Sequence, residues 1–361
     1  MSLPNLQDTL DRIQPVDPSW IEQARLRQLE LTKPPESLGR LEEIANRMAA
    51  IQQTLAPVVE HPRIVVFAAD HGVCAEGVNP FPQSVTAQMV MNYLHGGAAI
   101  NALARVAGVE LDIVDAGVAC DIPRRAGLVS RAMARGTRNF AREAAMSREQ
   151  AAAALELGIE MAERACEGEC TLLGIGEMGI GNTTAASAMT AALTELAPAA
   201  VIGRGTGADE ACMARKRSAV ERAMALHGAH FGGPMDVLER VGGFEIGAMC
   251  GLCLGAAANR CAVLVDGFIA TSAAALAVRF REPVRDYLIA AHRSTEPGHE
   301  PLLEILGLRP LLDLEMRLGE GTGAAVAVPV VRAAVEAFTR MATFASAGVS
   351  EAGVPADGAS S

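Results

Sequence analysis

Apolar and polar residues alternate along this chain in two different ways. Residues 1–60 follow helical spacing, with one helix predicted over Trp20–Leu31 and a second, capped by Ser37, over the apolar positions from Leu38 to Ile51. From residue 63 onward, short β-branched runs alternate with long alanine-rich segments. Alternation of this kind is typical of βαβ units, so the pattern predicts an α/β fold with a parallel sheet.

The β-branched runs predict about six strands, flanked by helices. The predicted strands are Arg63–Ala69, Glu110–Asp115, Thr171–Ile175, Ala199–Gly203, Ala262–Asp266 and Asp286–Ala291. The predicted helices between and after them include one opened by a capping box at Ser147 and Gln150, and others over Asp209–His230, Phe244–Arg260 and Ala324–Ala345. The Gly-, Ala- and Ser-rich tail over 347–361 is predicted to be disordered.

Polar residues, usually with a glycine, follow every predicted strand. These segments are Asp70-His-Gly72, Asp115-Ala-Gly117, Gly176-Glu-Met-Gly179, Arg204-Gly-Thr-Gly207, Asp266-Gly267 and His292-Arg-Ser294. Ligands of open parallel sheets bind outside the carboxyl ends of the strands. Each segment alone is typical of a turn, but six together predict the rim of an active site.

Composition narrows the class of partner. The net charge of −11 over 361 residues argues against nucleic acid or an anionic membrane as the main partner. The most apolar run, Ile246–Ala258, is 13 residues long, whereas a membrane span needs about 20. No signal peptide is evident at the N-terminus, so we expect a cytoplasmic protein.

The eight cysteines form no set of metal ligands in the sequence. Cys250 and Cys253 have the spacing of a metal or redox pair, but apolar neighbours surround them and no second pair or nearby histidine completes the set. We therefore interpret them as buried free thiols and expect no metal or other cofactor.

Two glycine-rich segments are candidates for ligand binding. Gly174–Thr184 follows a strand and opens a helix, but it lacks the later acidic residue of a dinucleotide fingerprint and the Gly-Lys-Ser/Thr of a triphosphate loop. A helix N-terminus suited to one phosphate remains, with a tight turn as the alternative. The second segment is Gly205-Thr-Gly207. Lys216 lies two turns into the helix that follows it, from where its ammonium group could reach a phosphate; a solvated helix face is the alternative.

The segment Arg317-Leu-Gly-Glu-Gly-Thr-Gly323 places one carboxylate, Glu320, among three glycines. Glycine permits positive φ and close approach of a ligand. A partly desolvated carboxylate has a raised pKa, which suits it to abstract a proton. The alternative is an acidic residue at a helix N-terminus.

Several segments together resemble one family, the nicotinate-nucleotide:dimethylbenzimidazole phosphoribosyltransferases, which make the lower-ligand nucleotide of cobalamin. The matching segments are Thr32–Glu42, Ala69–Val73, Pro82–Ala87, Gly176–Thr184, Gly242–Glu245, Leu264–Phe268, His292–Gly298 and Arg317–Gly323. The resemblance implies a homodimer whose large Rossmann-like domain, here residues 61–323, accompanies a small helical domain from both chain ends, here 1–60 and 324–346.

The resemblance also implies roles for individual residues. Glu320 falls on the family's general base and Glu177 on a second glutamate of the site. Phosphate and ribose contacts are implied at Gly179, Gly205, Lys216 and Ser294. The pocket for the benzimidazole base is implied at Phe81, Met89, Met178 and Leu318.

The chain departs from the family pattern at three positions. Glu36 replaces a usual glycine, and Phe81 and Met89 replace Ser and Gln of some members, which makes the base pocket more apolar. The resemblance implies transfer from nicotinate mononucleotide to 5,6-dimethylbenzimidazole. A pyridine-nucleotide oxidoreductase and a non-catalytic nucleotide sensor are the alternatives.

Overall fold

The computed structural model describes residues 6–123, 125–205 and 207–350. Thr206 of the predicted Gly-Thr-Gly turn and residues 351–361 of the predicted tail lie outside this range. By its internal contacts the chain divides into two units. The larger contains residues 6–15 and Glu60–Val328, and the smaller contains Val16–Val59 and residues from Pro329 onward.

The larger unit contains a six-stranded sheet in which every neighbouring pair is parallel. Its strands are β1 (Arg63–Ala69), β2 (Glu110–Gly117), β3 (Leu128–Ser130), β4 (Leu172–Met178), β5 (Ala262–Val265) and β6 (Leu288–Ala290). Their order is β3-β2-β1-β4-β5-β6. This is the doubly wound order, which reverses between β1 and β4 and leaves a crevice there. The α/β prediction with a parallel Rossmann-like sheet is confirmed.

Helices flank the sheet of the larger unit. They are α1 (Leu6–Arg12), α4 (Ser84–Leu94), α5 (Ala99–Ala107), α6 (Arg148–Glu167), α7 (Asn182–Thr194), α8 (Pro198–Val201), α9 (Glu210–His227), α10 (Pro234–Val241), α11 (Phe244–Ala258), α12 (Phe268–Phe280) and α13 (His299–Leu306). Short 3₁₀ helices cover Gly72–Glu76, Gly228–His230 and Glu282–Tyr287. The capping box that opens α6 is present, because the Ser147 hydroxyl accepts from the Gln150 amide and the Gln150 side chain accepts from the Ser147 amide.

The smaller unit is helical. It contains α2 (Pro18–Glu30), α3 (Arg40–Gln52), α15 (Phe344–Ala347) and the part of α14 (Thr322–Arg340) that follows Val328. Lys33 and Glu42, both buried, form an ion pair of 2.7 Å within it. The predicted cap at Ser37 is wrong: α3 begins after Gly39, and no side chain caps it.

The first helix belongs to the larger unit, although the sequence-based division assigned residues 1–60 to the small domain. Arg12 forms an ion pair with Glu163 of α6, and the backbone carbonyl of Ile13 accepts from the Arg281 guanidinium. The Tyr287 hydroxyl donates to the carbonyl of Gln14. These contacts join the N-terminal segment to the sheet domain.

One strand prediction is wrong, and one strand of the sheet was not predicted. The apolar run Ala199–Gly203 begins as the helical turn α8, because Pro198 occupies its first position and fixes a helical φ. The edge strand β3 escaped prediction because it has only three residues and none of them is buried. Within the described residues, α14 is long and apolar enough to cross a membrane by length and composition alone. More than half of its most apolar stretch is nevertheless buried, as in the core helices of globular domains.

Candidate active site

A cavity of about 260 Å³ lies at the carboxyl-end edge of the sheet in the larger unit. Segments that follow β1, β4, β5 and β6 form it, together with the segment before α14. It therefore occupies the region where doubly wound sheets bind ligands. Of the predicted site residues, those that line it are Phe81, Met89, Glu177, Met178, Gly179, Gly205, Ser294, Leu318 and Glu320.

The backbone of residues 317–323, here called the Glu320 turn, has three consecutive positive φ angles. They are +87° at Gly319, +63° at Glu320 and +82° at Gly321. Positive φ is uncommon for a residue with a side chain, and it often marks a functional position. Gly176 of β4 allows the turn to lie against the sheet, because a Cβ atom there would be 2.6 Å from the carbonyl oxygen of Glu320.

The Glu320 side chain is only 6% exposed, although it lines the cavity. One carboxylate oxygen, Oε2, accepts a long hydrogen bond of 3.4 Å from the backbone amide of Ile100. Burial raises the pKa of Glu320 above its ordinary value, whereas the Ile100 amide and the Tyr93 hydroxyl favour the charged form. A carboxylate with a raised pKa and access to the cavity can accept a proton from a bound molecule.

Glu177 is the second carboxylate of the cavity and lies next to the last residue of β4. The side-chain amide of Asn182 donates to it. Burial, with the nearby charges of Asp266 and Glu245, raises the pKa of Glu177 to about 8. These surroundings favour the protonated form of the Glu177 carboxyl group.

The predicted phosphate-binding residues are only partly together. Gly179 and Ser294 line the cavity, and so does Gly205, but the Gly205 amide already donates to Glu296 Oε1 at 2.9 Å. A phosphate oxygen would have to compete with this carboxylate for the Gly205 amide.

Lys216 lies behind the cavity wall, 1% exposed. Its Nζ donates to Thr183 Oγ1 and to the Gly203 carbonyl, both at 2.9 Å. Burial lowers the pKa of Lys216 to about 8, while the Glu296 charge opposes this effect. Thr183 itself lines the cavity, so the hydroxyl group stands between the ammonium group and any bound anion.

The four residues predicted to bind the aromatic base all line the cavity. Phe81 and Leu318 lie at its mouth and are 48% and 54% exposed. Met89 and Met178 lie deeper and are half-buried. Thioether and aromatic side chains of this kind suit a flat aromatic ligand.

The prediction that all six strand ends form one rim is wrong at two of them. The Asp70 carboxylate accepts from the Thr86 hydroxyl and the Ala119 amide, and His71 contacts Glu245 at 2.6 Å. Asp115 accepts from the two backbone amides that follow it closely. These buried groups do not line the cavity. Their hydrogen bonds to neighbouring segments stabilise the loops that follow β1 and β2.

Sequence reasoning assigned no individual role to several polar residues that line the cavity. These are Asn182, Thr183, Asp266, His292 and Glu296. Asp266 and His292 belong to the predicted rim, and Asn182 and Thr183 to the glycine-rich segment, so the signal was present but gave no role to the individual side chains.

The cysteines are all free thiols in the structure. Cys250 and Cys253 are fully buried, and burial raises the pKa of both thiols, that of Cys253 to about 12. Among residues 6–123, 125–205 and 207–350, no three His, Cys, Asp or Glu side chains are grouped to hold a metal ion.

Comparison with known proteins gives one consistent result. A sequence model of a phosphoribosyltransferase family matches residues 13–349. The chain is 51% identical to a nicotinate-nucleotide–dimethylbenzimidazole phosphoribosyltransferase of Chloroflexus aggregans, over 96% of this chain and 98% of the relative. It is 50% identical to the protein of that name from Geobacter sulfurreducens, over 96% of this chain and 98% of that relative.

A solved structure is similar over nearly its whole length. It is the nicotinate-nucleotide-dimethylbenzimidazole phosphoribosyltransferase of Thermus thermophilus, with a TM-score of 0.88 and 49% sequence identity. The match covers 93% of this chain and 99% of that one.

Proposed function

This chain belongs to that phosphoribosyltransferase family, and we propose that it transfers the phosphoribosyl group of nicotinate mononucleotide to 5,6-dimethylbenzimidazole. The products are α-ribazole 5′-phosphate, which supplies the lower ligand of cobalamin, and nicotinate. The observation that carries this proposal is a buried carboxylate with a raised pKa, Glu320, beside an apolar slot in a cavity at the edge of this sheet.

The chemistry of the substrates explains why one general base suffices. The pyridinium nitrogen of nicotinate mononucleotide is already cationic, so it takes the electron pair of its bond to C1′ and leaves without a proton donor. The unprotonated nitrogen of the benzimidazole forms the new bond to C1′, and the other nitrogen must lose its proton. Attack from the opposite face of the ribose converts a β-nucleotide into an α-nucleotide.

Glu320 is the proposed acceptor of that proton. Its raised pKa brings it nearer to the working pH, which makes it a better base than an exposed carboxylate. General base catalysis of this kind contributes typically about 10²–10⁴-fold.

The acidic groups near Glu320 suit the cationic substrate. Glu177 and Asp266 line the same cavity, and negative charge there favours a pyridinium ring and the positive charge that develops at C1′. An approaching cation lowers the pKa of Glu177, so that the mononucleotide itself would drive off the Glu177 proton. We assign Glu177 to stabilise this charge.

We assign the phosphate to the hydroxyl and amide groups that line the cavity. Gly179 and Ser294 offer an amide and a hydroxyl there, and Thr183 presents its hydroxyl with Lys216 behind it. Because the Thr183 oxygen accepts a hydrogen bond from Lys216, its own proton is free to point to an anion. Lys216 therefore acts on the phosphate through Thr183 and by its charge. Gly205 joins this set if its amide exchanges Glu296 for the phosphate.

Phe81, Met89, Met178 and Leu318 are the proposed slot for the accepting base. Their apolar surfaces offer stacking without hydrogen bonds. The enzyme should therefore discriminate less between bases that differ in polar edge groups than one whose pocket contains Ser and Gln.

The assembly and location of the enzyme are also proposals. Resemblance to the family supports a homodimer and a small helical domain built from both chain ends. The net charge of −11 supports an enzyme that binds no nucleic acid. The cytoplasmic location is proposed from the sequence, in which no signal peptide is evident.

An assay of nicotinate release tests the function directly. The protein is mixed with nicotinate mononucleotide and a panel of benzimidazoles, purines and phenols, and nicotinate and the new nucleotide are quantified. We expect stoichiometric nicotinate and α-nucleotide with 5,6-dimethylbenzimidazole. Tight mononucleotide binding without release would identify a sensor, and hydride transfer to a carbonyl would identify an oxidoreductase.

A further inference from the structure

The Asp266 carboxylate lies directly behind the Glu320 turn. It follows β5 and is 2% exposed. Its Oδ1 accepts from the backbone amides of Gly323 at 2.6 Å and Ala324 at 3.1 Å, and its Oδ2 accepts from the amide of Gly321 at 3.2 Å. One buried side chain thus holds the backbone on the C-terminal side of Glu320 and the start of α14.

The Glu320 turn needs such an anchor. A non-glycine residue at positive φ is strained and persists only where its surroundings fix it. Hydrogen bonds to a charged acceptor are stronger than those between neutral groups, so three of them can offset that strain. Without the carboxylate, three buried amides would lose their partner.

The backbone of Gly323 lies too close to Asp266 and His292 for a side chain at that position. A Cβ atom on Gly323 would lie 2.7 Å from Asp266 Oδ1 and 1.9 Å from His292 Cδ2. His292 Nε2 lies 3.7 Å from the same oxygen. The glycine therefore permits the contact between the turn and the carboxylate.

Asp266 also acts on Glu320 through its charge. The titratable groups that face Glu320 are Tyr93 of α4, Glu177 of β4 and Asp266 after β5, with the Ile100 amide of α5. Burial raises the pKa of Glu320 most, and the Asp266 charge raises it further, while the amide and the hydroxyl lower it.

We propose that Asp266 is a positioning residue that fixes both the orientation and the basicity of Glu320 in the transfer reaction. This inference rests on the proposed function, because Asp266 acts through the proposed base. Its geometry differs from that of a loop anchor elsewhere, since its three amide partners all belong to the segment that carries or follows Glu320.

The test compares Asp266→Asn with Asp115→Asn. Asp115 is also buried at a strand end and also accepts from two backbone amides, but it does not line the cavity. For Asp266→Asn we expect kcat to fall by about tenfold to 100-fold. Mononucleotide affinity should fall by a smaller factor, because the Asp266 charge also favours the pyridinium ring. Removal of the charge lowers the pKa of Glu320, so the acid limb of the kcat–pH profile should move to lower pH. Asp115→Asn should leave that limb in place.

The outcomes separate this inference from the proposed function. If the wild type releases nicotinate but a folded Asp266→Asn variant has the same pH profile as the wild type, the inference is overturned and the proposed function stands. A wild type that releases no nicotinate would overturn the function. If Asp266→Asn fails to fold, Asp266→Glu, which keeps the charge but moves the carboxylate, is expected to lower kcat without moving the acid limb. Wild-type kcat in that variant would overturn the positioning role.

Discussion

Two regions of the larger unit depend on glycine to bring different groups close together. Where α6 packs on α11, a Cβ atom on Gly158 would lie 1.8 Å from the carbonyl oxygen of Ala248, and one on Gly251 would lie 1.9 Å from that of Leu155. In the Glu320 turn, a Cβ atom on Gly319 would lie 2.1 Å from Glu177 Oε1. Glycine brings two helix backbones together in the first region and two carboxylates together in the second.

The difference concerns what the close approach achieves. The helix pair buries small apolar surfaces at the density of a crystal, which stabilises the fold. The turn buries Glu177 and Glu320 near Asp266 and raises the pKa of both glutamates. Such an arrangement costs stability and serves a reaction, as active sites often do. Substitutions in the two regions should therefore change different measured quantities.

The largest effect on stability is expected in the helix pair. In Gly158→Ala the new methyl group meets the backbone of α11, which cannot move aside as a side chain can. Overpacking of this kind costs typically about 1–3 kcal/mol, and we expect the upper end of that range or more. Urea unfolding measures the loss, while the kcat of the protein that remains folded should stay near wild type.

Gly228→Ala is the matched control for this prediction. Gly228 follows α9 with φ of −55°, and a Cβ atom there would meet no atom within 4 Å. Equal stability of the Gly158→Ala and Gly228→Ala variants would show that the helix pair tolerates a wider separation than the structure indicates.

A smaller and pH-dependent effect on stability is expected at Glu177. Its pKa in the folded protein, about 8, exceeds the ordinary 4.5, so the folded state binds this proton more tightly than the unfolded state. The free energy of unfolding should therefore fall as the pH rises from about 5 to 8. Glu177→Gln should remove this slope.

The measurement is urea unfolding of both proteins between about pH 5 and pH 8, the window set by the two pKa values. The difference between wild type and Glu177→Gln carries the expected slope, and the exposed Glu167→Gln variant reports the effect of losing a surface charge. A wild type and a Glu177→Gln variant whose stabilities run parallel over this range would contradict the raised pKa.

Sequence patterns predicted the fold wherever they were long and regular. The buried run of β1 was found with both ends correct, and α6 was found from its capping box. The five small or apolar residues of Ala199–Gly203 fit a strand and a helical turn equally well. The strand prediction failed because Pro198 favours a helical turn at this point. The three residues of β3 carry no pattern that could be read.

Sequence reasoning found the members of the site more easily than their arrangement. Glu320 stood out because glycine surrounds it, but the pattern gave no indication that Asp266, from a distant strand, holds its turn. Lys216 lies between two arginines, and spacing alone does not show that it is buried behind Thr183. Contacts between distant segments depend on how the whole unit packs, and the local pattern does not contain them.

The central claim is that the Glu320 carboxylate accepts the proton of the attacking base. The most direct measurement is the single-turnover rate of nicotinate release by Glu320→Gln with 5,6-dimethylbenzimidazole, with mononucleotide binding measured by calorimetry in the same variant. The account predicts a rate lower by about 10²–10⁴-fold with an affinity close to that of the wild type. A near-wild-type rate in a folded Glu320→Gln variant would contradict it.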